Sequence, residues 1–323
     1  MILTVTPNPT IDRVLFVRDF AMQDVVRADG EAVSPSGKAI DVAAILHLFG
    51  VDTLALGLNA GLSGVMLAAL LDELGVAHDF VPANGYTRVA ALITDRQACR
   101  QSTIIAHTLT ADESHLEELL TRTEARWPGC WGLVCAGSLP PGMPPNAYAR
   151  LLSRAKSKGV TTLLDSSGES LLQGAQARPD ILKMNRSELS ALFPQVADQW
   201  QTDKEDDDVL ERARELVAAL IDVLGEGAAQ AIVVTLGKRG VVAATPQGRW
   251  YAPALTVPYV SPAGAGDGMT SGIMLALYQG KPWREALAMG TAVAASVVAN
   301  PSTCACEPVQ VHALLPKVEV IEL

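Results

Sequence analysis

Apolar positions along this chain switch repeatedly between short continuous runs and a helical spacing, and that alternation predicts a fold before any chemistry is considered. From about residue 115 the pattern is regular. It predicts helices over 114–126, 146–158, 187–192 and 206–224, with strands over 132–136, 161–164, 181–184 and 231–235. A hairpin with strands near Val241 and Trp250 follows, then a strand over 255–259 and a helix over 269–279 that stops at Gly280 ahead of Pro282. Strands that are apolar throughout are buried on both faces, so the alternation implies a mainly parallel sheet covered by helices on both sides.

The first third is less regular. Residues 2–6 form a buried strand that ends in the turn Pro7-Asn8-Pro9, and a helix over 38–49 stops at Gly50. A strand over 53–58 and a helix over 64–74, stopped by Gly75, make a further β–α unit. Short β-like stretches at 14–17, 31–33, 88–93 and 102–105, the last two around Asp95-Arg96-Gln97, predict a small separate sheet. Its segments, about 11–35 and 86–107, would act as a lid. The apolar stretch 286–299 is rich in small residues, interrupted by Gly290 and too short to span a bilayer, so it reads as a buried helix.

Composition narrows the function classes. With 49% hydrophobic and 19% charged residues in 323, the chain is compact and large enough for a sizeable core. A net charge of −10 excludes a non-specific nucleic-acid binder, yet leaves room for a phosphorylated small molecule held by a local Arg and Lys cluster. Met1 leads straight into residues 2–6 without a basic n-region, so no signal peptide and no membrane partner is expected. Five cysteines without framework spacing point to reduced thiols in a cytoplasm, and Cys304 with Cys306 lacks the second ligand pair of a zinc site. The acidic run 203–208 reads as a solvated helix start.

Candidate chemistry gathers where strands end. Ser261-Pro262-Ala263-Gly264-Ala265-Gly266-Asp267-Gly268 lies on a strand-to-helix turn, where free N–H groups and the helix dipole favour an anion. Asp267 in that turn could take a proton from an attacking hydroxyl while the N–H groups hold transferring oxygens; the same stretch also fits an ordinary capped helix start. Polar and glycine residues also follow other strands, at 137–142, 165–168, 183–188 and 235–240, where such sheets bind ligands. Asn185 and Glu188 could orient a hydrated Mg²⁺ through their oxygens or form a capping box, and one does not exclude the other. Asp12, just past the first strand, could accept from sugar hydroxyls or cap a turn. Lys38 opposes the dipole of the helix it opens, which an anionic ligand would explain, and it shares a face with Asp41. No P-loop sequence exists, and no Gly-x-Gly-x-x-Gly follows the first strand, which argues against a dinucleotide oxidoreductase.

Together Gly264-Ala265-Gly266-Asp267, Gly137-Ser138-Leu139-Pro140-Pro141-Gly142, Lys183-x-Asn185-x-x-Glu188 and Thr235-Leu236-Gly237-x-x-Gly240 resemble the ribokinase-like (PfkB) carbohydrate kinase family, in its order and spacing. The nearest branch is that of 1-phosphofructokinase and tagatose-6-phosphate kinase. The resemblance runs over nearly the whole chain and implies one domain over 1–323: an α/β, Rossmann-like three-layer sandwich with a small β lid of the kind used in homodimer contacts. It implies MgATP as phosphoryl donor and Asp267 as base, with Gly264, Ala265 and Gly266 making the anion hole. Asn185 and Glu188 would serve magnesium through water, and Lys183, Asn185, Thr235, Gly237 and Gly240 the nucleotide. Asp12, Gly37, Asp41 and Ser138 would hold the sugar, while Arg27, Lys38 and Arg88 would bind the phosphate it already carries. The implied acceptor is a phosphorylated ketohexose of the fructose 1-phosphate, fructose 6-phosphate or tagatose 6-phosphate type. An unphosphorylated sugar or polyol, or a non-catalytic sugar-binding relative, are the alternatives.

The chain departs from the family at the sugar end. Where the family signature reads Gly-Gly-Lys-Gly-x-Asn, this chain has Ser36, Gly37, Lys38, Ala39, Ile40 and Asp41. A positive φ at position 39 would cost Ala39 on the order of 1 kcal/mol. Ionised Asp41 would only accept hydrogen bonds, and would add charge beside an anionic sugar.

Overall fold

A computed structural model describes residues 1–18, 20, 25–95, 98, 100–197 and 209–323. It opens with β1 (Ile2–Thr6), β2 (Thr10–Val17), β3 (Gly30–Ser36), α1 (Lys38–Leu48), β4 (Thr53–Asn59) and α2 (Gly61–Glu73). Next come β5 (His78–Pro82), the short β6 (Asn84–Gly85), β7 (Arg88–Asp95), β8 (Arg100–Ile104), the short β9 (Leu109–Thr110) and α3 (Glu113–Glu124). The middle of the chain holds β10 (Gly132–Ala136), α4 (Ala147–Lys156), β11 (Thr161–Asp165), α5 (Gly168–Ala175), β12 (Ile181–Asn185), α6 (Arg186–Leu192) and α7 (Pro194–Ala197). The last part comprises α8 (Val209–Gly225), β13 (Ala231–Thr235), β14 (Val241–Thr245), β15 (Gly248–Ala252), α9 (Ala265–Tyr278), α10 (Trp283–Val298), α11 (Pro308–Leu314) and β16 (Ile321–Glu322).

Ten strands form one sheet in the order β16-β15-β14-β13-β12-β11-β10-β1-β4-β5. From β13 to β5 neighbours run parallel, while β14, β15 and β16 join antiparallel at one edge. Side chains alternate between the two faces, as strand geometry requires. Leu133 and Cys135 of β10 pack with Leu116, Leu120 and Tyr148 on one side. Val134 and Ala136 pack with Val42, Ile273 and Met274 of α1 and α9 on the other. The result is the expected three-layer α/β sandwich. Because β1 lies between β4 and β10, the chain leaves to one side and returns to the other. A crevice opens at the carboxyl ends of the strands at such a switch point.

A separate four-stranded sheet, β3-β2-β7-β8, lies within the two segments where a lid was expected. Its strands are longer than the sequence pattern suggested, because polar residues at their ends, such as Asp12 and Arg13 of β2 and Thr94 and Asp95 of β7, also join the ladder. Val14, Phe16, Ala90 and Leu92 on the covered face form a small core of their own against Val260 and Ala263. Asp12 therefore lies inside β2 of this sheet and not in a turn after the first strand.

Two further expectations need correction. No strand forms over 255–259: residues 253–260 run irregularly, and Pro253 and Pro258 bring no N–H to a ladder. The helix expected from 269 begins earlier, as α9 at Ala265, which puts Asp267 in its first turn. β5 at the sheet edge and α5 were not anticipated. The acidic run 203–208 and the turn residues Arg96 and Gln97 lie outside the described residues. Residues 286–298 do fall in a buried helix, α10, with Ala299 as its C-cap, and among the described residues no helix is long and apolar enough to cross a membrane.

Candidate active site

Gly264 sets up the centre. It caps α9 with φ at 81°, and a Cβ there would lie 2.0 Å from the carbonyl oxygen of Thr303, so neither conformation nor space admits a side chain. Past it, the Ala265 N–H leans on Pro262 O at 3.3 Å. The Gly266 N–H, at the second helical position, has no partner among the described residues. Asp267 follows, buried, with its pKa raised to about 7 by burial and by the charge of Asp165, against the pull of Lys183 and Lys38. A carboxylate that gains its proton near neutrality can accept a proton, while the free N–H beside it at the helix start can steady an anion.

Beneath it lies a charge cluster. Asp165, at the end of β11, is fully buried and accepts Lys38 Nζ at 2.6 Å, Lys183 Nζ at 2.6 Å and Thr270 Oγ1 at 3.4 Å. Burial alone would push its carboxyl up, yet the two ammonium groups hold it below the usual carboxylate range. Lys183 comes from β12 and passes close under the anion hole: its Nζ would lie 2.9 Å from a Cβ on Gly266. Lys38 also reaches Glu188 Oε1 at 3.1 Å. Burial works against the Lys38 charge, but Asp165, Glu188 and Asp267 together hold its pKa above the ordinary value. Its ammonium is thus committed to the carboxylates under Asp267, while Asp41, expected beside it, turns to Ser36 and Thr303.

Asn185 and Glu188 form the capping box: Asn185 Oδ1 accepts Glu188 N–H at 3.0 Å, and Glu188 Oε2 accepts Asn185 N–H at 2.7 Å. Among the described residues no group of three or more His, Cys, Asp or Glu side chains could cage a metal. With both Glu188 oxygens already engaged, the pair suits the hydration shell of a Mg²⁺ carried in on phosphates better than direct ligation.

At the other end of the crevice, the Pro7-Asn8-Pro9 turn ties the small sheet to the large one. Arg88 of β7 donates to Asn8 O at 2.5 Å and to Pro9 O at 3.4 Å, and Asn8 Nδ2 donates to Ser138 Oγ at 3.3 Å. Burial lowers the Arg88 pKa, and Asp12 pulls it back up. Asp12 is itself raised by burial, against Ser36 and Arg88. Asp41 is buried, and its carboxyl is pushed well above the usual range by burial and then by the charges of Asp267 and Asp12. Position 39 needs no positive φ: Ala39 has none, and Gly37 carries it instead at 122°. Arg27 stands exposed on the coil ahead of β3 and makes no ion pair among the described residues.

A cleft of about 490 Å³ adjoins the anion hole, lined by Thr235, Gly237, Lys238, Gly240, Gly266 and Met269. A larger hollow of about 550 Å³ beside Trp131, Asp180 and Trp283 opens at the amino-terminal ends of the strands, away from Asp267. Asp180 there is already bonded to Thr162 and Gln230, which leaves the first cleft, beside Gly266 and Asp267, as the candidate site. In the sequence Asp165 is only the first residue of a strand-end stretch, and a lone carboxylate closing an apolar strand is the one signal of its place in the cluster. Thr270 and Thr303 carry no sequence signal of their own.

A family model described as pfkB family carbohydrate kinase matches residues 7–310. The chain is 28% identical over 320 residues to a 1-phosphofructokinase of Escherichia coli (strain K12), covering 99% of this chain and 97% of that protein. It is 27% identical over 305 residues to the ATP-dependent 6-phosphofructokinase isozyme 2 of Mycobacterium tuberculosis, covering 94% and 86%. Among solved structures, phosphofructokinase-2 from Escherichia coli, in complex with substrates and products, matches at a TM-score of 0.83 and 25% identity, covering 98% of each chain.

Proposed function

This chain belongs to the pfkB carbohydrate kinase family, and we propose that it transfers the γ-phosphoryl group of MgATP to a hydroxyl of a phosphorylated ketohexose. The observation that carries this reading is Asp267, held ready to take a proton near pH 7 beside the free N–H of Gly266. Deprotonated Asp267 accepts the proton of the acceptor hydroxyl as its oxygen attacks the γ-phosphorus, and the bond from that phosphorus to the bridging oxygen breaks, leaving ADP. The Gly266 N–H and the α9 dipole steady the transferring oxygens, with the Lys183 ammonium close beneath. Thr235, Gly237 and Gly240 line the nucleotide. Asn185 and Glu188 would hold the water shell of a magnesium ion, which would neutralise phosphate charge when bound.

On this reading Arg88 and Arg27 answer the acceptor's own phosphate, and Asp12 and Ser138 hold its hydroxyls. Lys38 is assigned instead to the donor side, because its ammonium lies between Asp165 and Glu188. The gathering of Asp12, Asp41 and Asp267 favours a second reading, an uncharged sugar or polyol as acceptor. The small sheet would close over the site and pair with a second copy through exposed Val33, Val89 and Ile104. The four described cysteines are free thiols, as a cytoplasmic setting would leave them.

The test is MgATP-dependent ADP release with fructose 1-phosphate, fructose 6-phosphate, tagatose 6-phosphate and their free sugars. Turnover of one phosphorylated ketose is expected. Turnover of a free sugar alone would move the acceptor assignment, and an Asp267→Asn enzyme of near-normal activity would overturn the mechanism.

A further inference from the structure

Asp41 is 2% exposed and forms no ion pair among the described residues. Its partners are hydroxyls: Ser36 Oγ donates to Oδ2 at 3.0 Å, and Thr303 Oγ1 reaches Oδ1 at 3.4 Å. Thr303 Oγ1 also lies 3.2 Å from Ser36 Oγ and 3.4 Å from Ser34 Oγ, so three buried hydroxyls form a single cluster with Asp41, and Ser36 and Thr303 face Asp12 as well. The ionisable groups that face it do not help a charge. Asp12 from β2 and Asp267 from α9 carry the same sign, and the Cys304 thiol is pushed up to about 12 by burial and by Asp41 itself. The cations are committed elsewhere: Lys38 and Lys183 to Asp165, and Arg88 to the carbonyls of Asn8 and Pro9. A bare buried carboxylate is far costlier than a neutral acid with the same hydrogen bonds.

We propose that Ser36, Asp41 and Thr303 act as one proton-holding unit in which Asp41 stays a carboxylic acid, donating and accepting to a hydroxyl of the acceptor, with Thr303 as its positioning residue. A neutral acid offers the same donor and acceptor pair as the asparagine of the family signature, so the departure at position 41 keeps the recognition and adds a pH limit. When the proton leaves, Asp41 can only accept, and its charge repels an anionic acceptor. The proposal rests on the kinase reading for the identity of the acceptor, but not for the proton.

Two measurements test it. Infrared difference spectra between wild type and Asp41→Asn at neutral pH should show a protonated carboxylic C=O band that belongs to Asp41 and fades as pH rises. A carboxylate band in its place overturns the proposal. This readout needs no activity, so silence across the acceptor panel would count against the kinase reading and leave the infrared result to decide here. With the acceptor that is turned over, the wild-type acceptor KM should climb as pH rises and Asp41 loses its proton, by up to about tenfold per pH unit, with the KM for MgATP unchanged. Asp41→Asn should flatten that rise; a variant that keeps it overturns the proposal. Should that variant not fold, Thr303→Val is expected to raise the acceptor KM about tenfold and move the climb to higher pH, since a donor to the carboxylate is lost. Thr303→Ser should behave as wild type, and a Ser variant as impaired as the Val variant overturns the positioning role.

Discussion

At the donor end of the crevice Asp165 is fully buried and stays charged, because Lys38 and Lys183 each donate to it at 2.6 Å. At the acceptor end Asp41 is as deeply buried, meets only hydroxyls, and is driven toward its neutral form. Burial is common to both; the sign of the nearest partner decides the charge. Asp267 stands between them, subject to both ends, and its pKa near 7 is the compromise.

Substituting aspartate by asparagine along this line should break the comparison in three different ways. The largest effect is expected at Asp267→Asn, where losing the base should lower kcat by about 10²–10⁴-fold while calorimetry finds MgATP binding little changed. In the wild type, kcat should fall as pH drops below about 7, since the base must be deprotonated to act. Asp165→Asn should come next: it leaves the buried Lys183 ammonium without its counter-ion and Lys38 with Glu188 alone, and denaturant unfolding should show a loss of about 3–5 kcal/mol. Arg88→Ala should raise the acceptor KM about tenfold for a phosphorylated ketose and hardly at all for a free sugar. Asp41→Asn should act on stability through pH. A folded-state carboxyl raised above its ordinary 3.8 takes up protons on folding, so its contribution is present at low pH and lost as pH rises through the folded value. Thermal midpoints of Asp41→Asn should therefore decline less than those of wild type between about pH 4 and neutrality.

Much of the layout was legible because it is written locally. Parallel strands buried on both faces announce themselves as apolar runs, and β10 and β13 have the boundaries the pattern gave. The Asn185–Glu188 box was legible for the same reason, being closed within three residues. What failed was non-local. The stretch 255–259 has strand-like residues but no neighbour to pair with, and Asp12 went unassigned to a strand because Asp12 and Arg13 interrupt the apolar run of β2. The partnership of Thr303 with Ser36 spans 267 residues, and no local spacing can encode it.

The stretch between α10 and α11 has one further consequence. Segments outside helices and strands ordinarily accept insertions and drift in sequence. Thr303 breaks that rule, for its carbonyl packs on Gly264 while its hydroxyl reaches Ser36 and Asp41. One residue added between 299 and 303 would lift it from both at once, disturbing phosphoryl transfer and sugar recognition together. A library that seeks new acceptors by lengthening this loop should yield inactive proteins.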